Sequence, residues 1–384
     1  MPETGSDVSI HFPYPDNFIT PDFANGFTAD RRRLLYAQHP GRADSTGRAV
    51  TRHPMPHTPF NRRESLRTLL SLLCLPALAA CSPPAAPLSV SAHSWPGYEL
   101  MFLAAHEGWI DERSVQLRES VSATESMQRL RAGTIDAAAL TLDETITLLA
   151  EGVDLRVVLV FNVSSGADAL VAKPHVRSLQ DLRGRRVGVE DSAVGALMLH
   201  AALATAGMSP SDVIATPLTS DQHLAAWTQD KVDAVVSFEP VRGMLLRKHG
   251  RVLFDSTGLP DTIIDVLAVS AQTMADKNKR RALRLLIDGH FLALRHLRTN
   301  PADAAYRLAV RLGDSGPAAL QSYRGLILPD EHANRRLLDA QGQLHQSVKT
   351  LSAMMLEWGQ IARAPQLDRL IDASLLPHAE VPAR

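Results

Sequence analysis

From Leu88 onward the chain alternates between short apolar runs of strand length and longer stretches with apolar residues at helical spacing. LSVSA reads as a strand, and residues 98–107 as a helix stopped by Gly108. SVQLRES, IDAAALT, DLRVVLVFN and GADALVAKP read as further strands, with SATESMQRLRAG and LDETITLLAEG as helices among them. A second set follows, in which RRVGVED, DVIATPL, KVDAVVSF and RVLFD are strands. VGALMLHAALATAG, DQHLAAWTQ and PVRGMLLRKHG are the helices between them. IIDVLAVS is one more strand, and the remainder to about Leu376 reads as helical. This alternation predicts an α/β fold of doubly wound sheets, with ligands received at the carboxyl ends of strands. Two such sets and a returning strand predict two lobes joined by two crossings. Lobe one is expected over residues 89–175 and 266–376, and lobe two over 176–265, with crossings near 173–178 and 265–270.

The chain before Leu88 has a different pattern. Arg62, Arg63 and Arg67 precede a short apolar run over residues 68–80, and Cys81 follows. That run is shorter than the about 20 apolar residues that span a bilayer, but it has the length of a signal-peptide core. Leu78, Ala79, Ala80 and Cys81 together resemble the bacterial lipobox, whose cysteine is lipidated and becomes the first mature residue. Residues 55–80 are therefore expected to be a lipoprotein signal peptide, Cys81 its lipidation site, and 81–88 a Ser/Pro/Ala tether. Residues 1–54 are polar and rich in Arg and Pro. The expectation is that they are disordered, or that translation begins at Met55.

Composition narrows the function. The 384 residues include 40 Lys and Arg against 41 Asp and Glu, so no basic excess points to nucleic acid. The only cysteines are Cys74 and Cys81, which leaves neither a disulfide framework nor a Cys-rich metal site. HExxH and phosphate-loop motifs are absent from the sequence, and no cofactor or metal is expected. GDSGP at 313–317 has the look of a serine-nucleophile motif, but it sits between helices and reads as a loop. His290 and His296 lack the i, i+4 spacing of paired metal ligands and read as ordinary helix histidines.

Polar and aromatic residues collect where strands end. WPGY (95–98) follows the first strand, Asp143 lies just past IDAAAL, and Asn162 ends RVVLVF. Asp191 and Ser192 end RRVGVE, and Glu239 ends VDAVVSF. Each has a purely structural reading: Asp143 lies in a T-x-x-E box, Ser192 could cap a helix, and Glu239 precedes a Pro. Together they predict a cleft. Asp265 interrupts the apolar run Ile263, Ile264, Val266, Leu267, where a charge is costly unless it is paired or faces a cleft.

WPGYELMFLAAHEGWID resembles the opening of solute-binding proteins of the nitrate, taurine, alkanesulfonate and thiamine-pyrimidine ABC importers. LRAGTIDAAALTLDE, DLRGRRVGVEDSAVGALMLHAAL and KVDAVVSFEP resemble later segments of that family, in order. The resemblance implies a periplasmic-binding-protein type II fold in which two α/β lobes close on a ligand, with a helical C-terminal part. It implies Trp95 and Tyr98 as ligand contacts, with the turn from Ser192 to Gly195 and Glu239 facing them from the other lobe. It also implies delivery of a small organic solute, nitrogen- or sulfonate-containing, to a permease and ATPase, from a protein held at a membrane by its lipid and expected to be a monomer.

Some members of that family are enzymes that use cysteines. No cysteine would remain free in the mature chain, so an enzyme or a ligand sensor on the same fold is the second choice. Carboxylates dominate the strand ends and no Lys or Arg stands among them. The expected solute therefore carries an amine or a heteroaromatic nitrogen, stacks on Trp95 and Tyr98, and is held by carboxylates.

Overall fold

The computed structural model describes residues 86–191 and 194–377. Cys81, the signal segment 55–80, residues 1–54 and Ser192 lie outside the described residues.

The first sheet begins with β1 (Leu88–Ala92), β2 (Val115–Glu119), β3 (Ala137–Thr141) and β4 (Leu155–Ser164). Helices α1 (Pro96–His106), α2 (Ala123–Arg131) and α3 (Leu142–Glu151) connect them. The chain then enters a second sheet through β5 (Asp168–Ala172), β6 (Arg186–Val189), β7 (Ile214–Pro217), β8 (Ala234–Phe238) and β9 (Arg251–Asp255). Its helices are α4 (Val194–Thr205), α5 (His223–Thr228) and α6 (Val241–Arg247). β10 (Ile264–Ser270) returns to the first sheet. The C-terminal part holds α7 (Ala271–Ala275), α8 (Lys277–Thr299), α9 (Pro301–Leu312), α10 (Gly316–Gln321), α11 (Glu331–Leu338) and α12 (Gln343–Glu357), with the two-residue strand β11 (Leu326–Ile327) before α11.

Strand order is β11-β4-β10-β3-β1-β2 in one sheet and β7-β6-β8-β5-β9 in the other. Each sheet has parallel neighbours on one side, β3-β1-β2 and β8-β6-β7, and one reversed strand next to them. The reversed strands are β10, antiparallel to β3 and β4, and β5, antiparallel to β8 and β9. They are the two strands that enter directly from the opposite lobe. A chain crossing without an intervening helix meets the new sheet from its cleft edge and so runs backwards through it. The sheets are thus mixed where a parallel pattern was expected.

Helical spacing in the C-terminal part overlooked β11 and the final stretch. Beyond α12 the chain runs through turns and bends with one short 3-10 turn, and Ile371 bridges to Val157. The crossings also lie earlier than the pattern indicated, at 165–167 and 256–263. β5 therefore belongs to the second sheet, although the expected lobe boundary at 175 left it in the first. An isolated apolar run carries no mark of which sheet it will join.

The core is continuous across the first sheet and its helices. β4 is buried at every position except Arg156, the pattern of a central strand covered on both faces. α8 packs along α1, with Leu283, Leu286, Ile287 and Phe291 buried. At the α3 start, Glu144 Oε2 accepts from Thr141 N at 2.8 Å, the reach-back half of the box read from the sequence.

Candidate ligand cleft

The first lobe presents a hydrogen-bonded chain of four buried side chains. Trp95 Nε1 donates to Asn162 Oδ1 at 3.0 Å, and Asn162 Nδ2 donates to Asp265 Oδ2 at 2.6 Å. Tyr98 OH donates to the other carboxyl oxygen, Asp265 Oδ1. The backbone builds this chain: Trp95 is the N-cap of α1, and Asp265 stands opposite Asn162 and Thr141 in the strand register. Gly97 is required between the two aromatics, because a Cβ there would lie 1.7 Å from Asn162 Oδ1. WPGY is thus a close approach of a helix N-terminus to a strand end, and both aromatics are buried.

In front of this chain lies a cavity lined from lobe one by His93, Trp95, Tyr98, Glu144 and Asp265. Lobe two contributes Asp168, Glu190, His223 and Phe238. Phe238 closes the gap, its ring centroid 5.5 Å from those of both His93 and Trp95. About 20 Å³ is left for the centres of water-sized atoms, room for one or two waters. The lobes also touch at the rim. Glu190 Oε1 accepts from Thr124 N at 3.1 Å and from its hydroxyl, and Ser220 Oγ donates to Val121 O at 3.3 Å. Arg247 pairs with Asp314 at 2.6 Å, and the His200 ring stacks on Trp358 at 4.1 Å.

Acidic groups dominate the electrostatics. Glu144, Asp168, Glu190 and Asp265 are buried around this one space, and Asp143 is buried next to Glu144 in the chain. Burial pushes Asp143 up to about 6 and Asp168 up to about 7. Burial, and then the neighbouring Asp143, raise Glu144 well above the carboxylate range. Burial likewise raises Asp265. The same dry surroundings push His93 and His223 down to about 4, so both rings are neutral at neutral pH. Several polar atoms have no hydrogen-bond partner: Asp143 Oδ1, Asp168 Oδ2, Glu190 Oε2, His93 Nδ1 and His223 Nε2. Buried polar atoms left unpaired are costly. Among the described residues no group of three or more His, Cys, Asp or Glu is placed to hold a metal ion.

The residues read from the sequence fall into distinct places. Trp95, Tyr98, Asn162 and Asp265 form the one network, with Asn162 behind the cavity wall. Asp143 is buried beside Glu144. Gly195 packs α4 against the end of β6, where a Cβ would stand 2.9 Å from Glu190 O. Ser192 lies outside the described residues. Glu239 differs from the expectation: it accepts from Arg242 Nη1 at 2.9 Å and Gly243 N at 3.1 Å, and lines a separate surface hollow with Arg242 and Arg247. Its strand-end position serves the α6 turn instead, because the following Pro240 starts that turn and directs the carboxylate back to it.

Sequence reading missed His93, Glu144, Asp168, His223 and Phe238. His93 and Phe238 do lie at strand carboxyl ends, the signal used elsewhere. Asp168 could not be found that way, because β5 is reversed and presents its amino end to the cleft. Arg242 was missed too; it is the cation whose field partly offsets the upward shift of Asp168.

Among known proteins, a Brucella abortus protein named as a binding protein is 25% identical over 188 residues, 48% of this chain and 58% of its own length. An Escherichia coli K12 protein named for binding aliphatic sulfonates is 29% identical over 170 residues, 44% of this chain and 53% of its own. The chain thus matches little more than half the length of these relatives. The alkanesulfonate-binding protein SsuA from Xanthomonas axonopodis pv. citri, solved with MOPS bound, shares the fold with a TM-score of 0.62. The two are 17% identical, and the alignment covers 77% of this chain and 99% of that one. The fold is that of the periplasmic binding proteins. The NMT1/THI5-like family matches residues 95–296, more than half of the 384 residues, and the chain belongs to that family.

Proposed function

We propose that the protein is the extracytoplasmic solute receptor of an ABC importer, and that it captures a small organic solute carrying a positively charged or donor-rich nitrogen. The observation that carries the reading is the interlobe cavity, walled by aromatic rings and lined by four buried carboxyl groups. A cation entering this space meets Asp168 and Glu190, whose Oδ2 and Oε2 have no other partner, and removes the penalty of leaving them unpaired. The rings of Trp95 and Phe238 supply the apolar wall. Solute bridging the two lobes favours the closed form by its differential affinity for it, with bending at the crossings 165–167 and 256–263.

Relatives named as binding proteins support reception and release rather than turnover, and the relative named for aliphatic sulfonates supports a small organic solute. Among the described residues the cavity lining contains no cysteine, which favours this reading over thiol chemistry on the same fold. Anchoring through a lipidated Cys81, a periplasmic location and transfer to a permease complete the proposal. Mass spectrometry of small molecules released by denaturing the native protein tests it. An unchanged amine or nitrogen heterocycle is the expected result, and a substrate consumed to product would overturn it.

A further inference from the structure

We infer that Glu190 sets the charge preference of this cavity by occupying, from lobe two, the anion position that lobe one offers. The inference rests on the receptor reading above and names the group that decides which solutes enter.

The first turn of a helix exposes backbone N–H groups that lack intrahelical partners and attract anions. In α2 the N-cap is Ser122, whose side chain accepts from Glu125 N at 3.3 Å. Val121 N is taken in turn by Glu125 Oε2 at 2.8 Å. Ala123 of that turn lines the cavity, and the next residue, Thr124, donates from both its amide and its hydroxyl to Glu190 Oε1. That pair of donors on a helix N-terminus is the arrangement that would receive a sulfonate or carboxylate of a solute. Here the protein's own carboxylate fills it. Glu190 is 5% exposed and lines the cavity, and its second oxygen, Oε2, has no partner.

Two effects follow from one side chain. An anionic solute would have to displace Glu190 from Thr124 before it could take that position, so it is excluded by occupancy. A cationic solute leaves the Glu190–Thr124 contact intact and adds a charge-assisted hydrogen bond to Oε2. Gly195 keeps the carboxylate in place, since it lets α4 pack against the backbone of Glu190 itself.

Calorimetry on the full chain with benzylamine and phenylmethanesulfonate, which share one ring and carry opposite charges, tests the assignment. The wild type should bind the amine and not the sulfonate. Glu190→Ala should weaken the amine by about tenfold or more, the worth of a charge-assisted hydrogen bond, and should gain measurable sulfonate binding. Glu190→Gln is nearly isosteric, keeps an acceptor for Thr124, and should move both affinities the same way by less; it decides the matter if Glu190→Ala does not fold. Wild-type sulfonate binding as tight as amine binding, or no change of preference in either variant, would overturn the role of Glu190. If the wild type binds neither probe, the amine reading of the cavity falls. Glu190 is then judged on the sulfonate alone: a gain in the variants supports its role, and no gain refutes it.

Discussion

Asp265 and Asp168 occupy matching places in the two lobes. Each lies at the amino end of a reversed strand of its sheet, β10 and β5, just after the chain has crossed from the other lobe. Each is buried and carries a raised pKa. Their surroundings differ. Asp265 is held on both oxygens, by Tyr98 and by Asn162, and Asn162 is held in turn by Trp95. Asp168 has Oδ2 without a partner, and Glu190 Oε2 and His223 Nε2 in the same lobe are equally unpaired. One topology thus yields a saturated wall around Asp265 in lobe one and a receptive wall around Asp168 in lobe two. The difference separates a group that shapes the cleft from a group that can still bind something.

Breaking the saturated wall should have the largest effect on stability. Asp265→Ala strands the Tyr98 hydroxyl and the Asn162 amide in a dry core, and two unpaired buried donors cost about 2–5 kcal/mol. Urea unfolding should show that loss, and a loss below 1 kcal/mol would mean the network is not structural. Gly97→Ala attacks the same wall by sterics, since its Cβ and Asn162 Oδ1 cannot coexist. Overpacking of this kind costs about 1–3 kcal/mol, and a variant as stable as the wild type would contradict the close approach.

The receptive wall should respond in the opposite way. Asp168→Asn removes a carboxylate that burial disfavours, so the unfolding midpoint should hold or rise while benzylamine affinity falls by about tenfold. A fall in stability comparable to that of Asp265→Ala would erase the distinction between the lobes.

A pH series sharpens it further. A carboxyl whose folded pKa is raised holds its proton in the folded state after the unfolded chain has released it. Its contribution to stability therefore falls as pH rises from about 4 to about 6 for Asp143 and about 7 for Asp168. His93 and His223, held down at about 4, act in the opposite sense: their contribution grows as pH rises from there to about 6.5. Cation binding needs ionised carboxylates, so benzylamine affinity should rise between pH 5.5 and 7.5, with proton release visible as a buffer-dependent heat. Asp168→Asn should flatten that rise. An affinity independent of pH in the wild type would remove Asp143 and Asp168 from the contact. The smallest effect on binding is expected from Cys81→Ala, which should free the protein from membranes without altering affinity in a fractionation and calorimetry pair.

Much of the architecture was legible because apolar periodicity is a local property. β4 announces itself as VVLVF and α3 through its T-x-x-E start, and neither needs a distant partner to be recognised. Asp265 was legible as a charge inside an apolar run. Glu239 misled because a strand-end carboxylate before Pro looks the same whether it faces a cleft or serves the next helix. Asp168 opens an ordinary strand, and nothing nearby marks it as buried against another lobe.

By itself the sequence determined the order of strands and helices, the presence of two α/β sets, and the density of acidic and aromatic residues at their ends. These follow from side-chain periodicity and residue chemistry, which act over a few residues. Only the tertiary structure decided that β5 and β10 run backwards, that Trp95, Asn162, Asp265 and Tyr98 join into one network, and that Glu190 reaches across to Thr124. Those outcomes depend on residues up to 167 positions apart in the chain meeting in space. Strand direction and burial arise only when the two sheets assemble, so no local pattern can encode them.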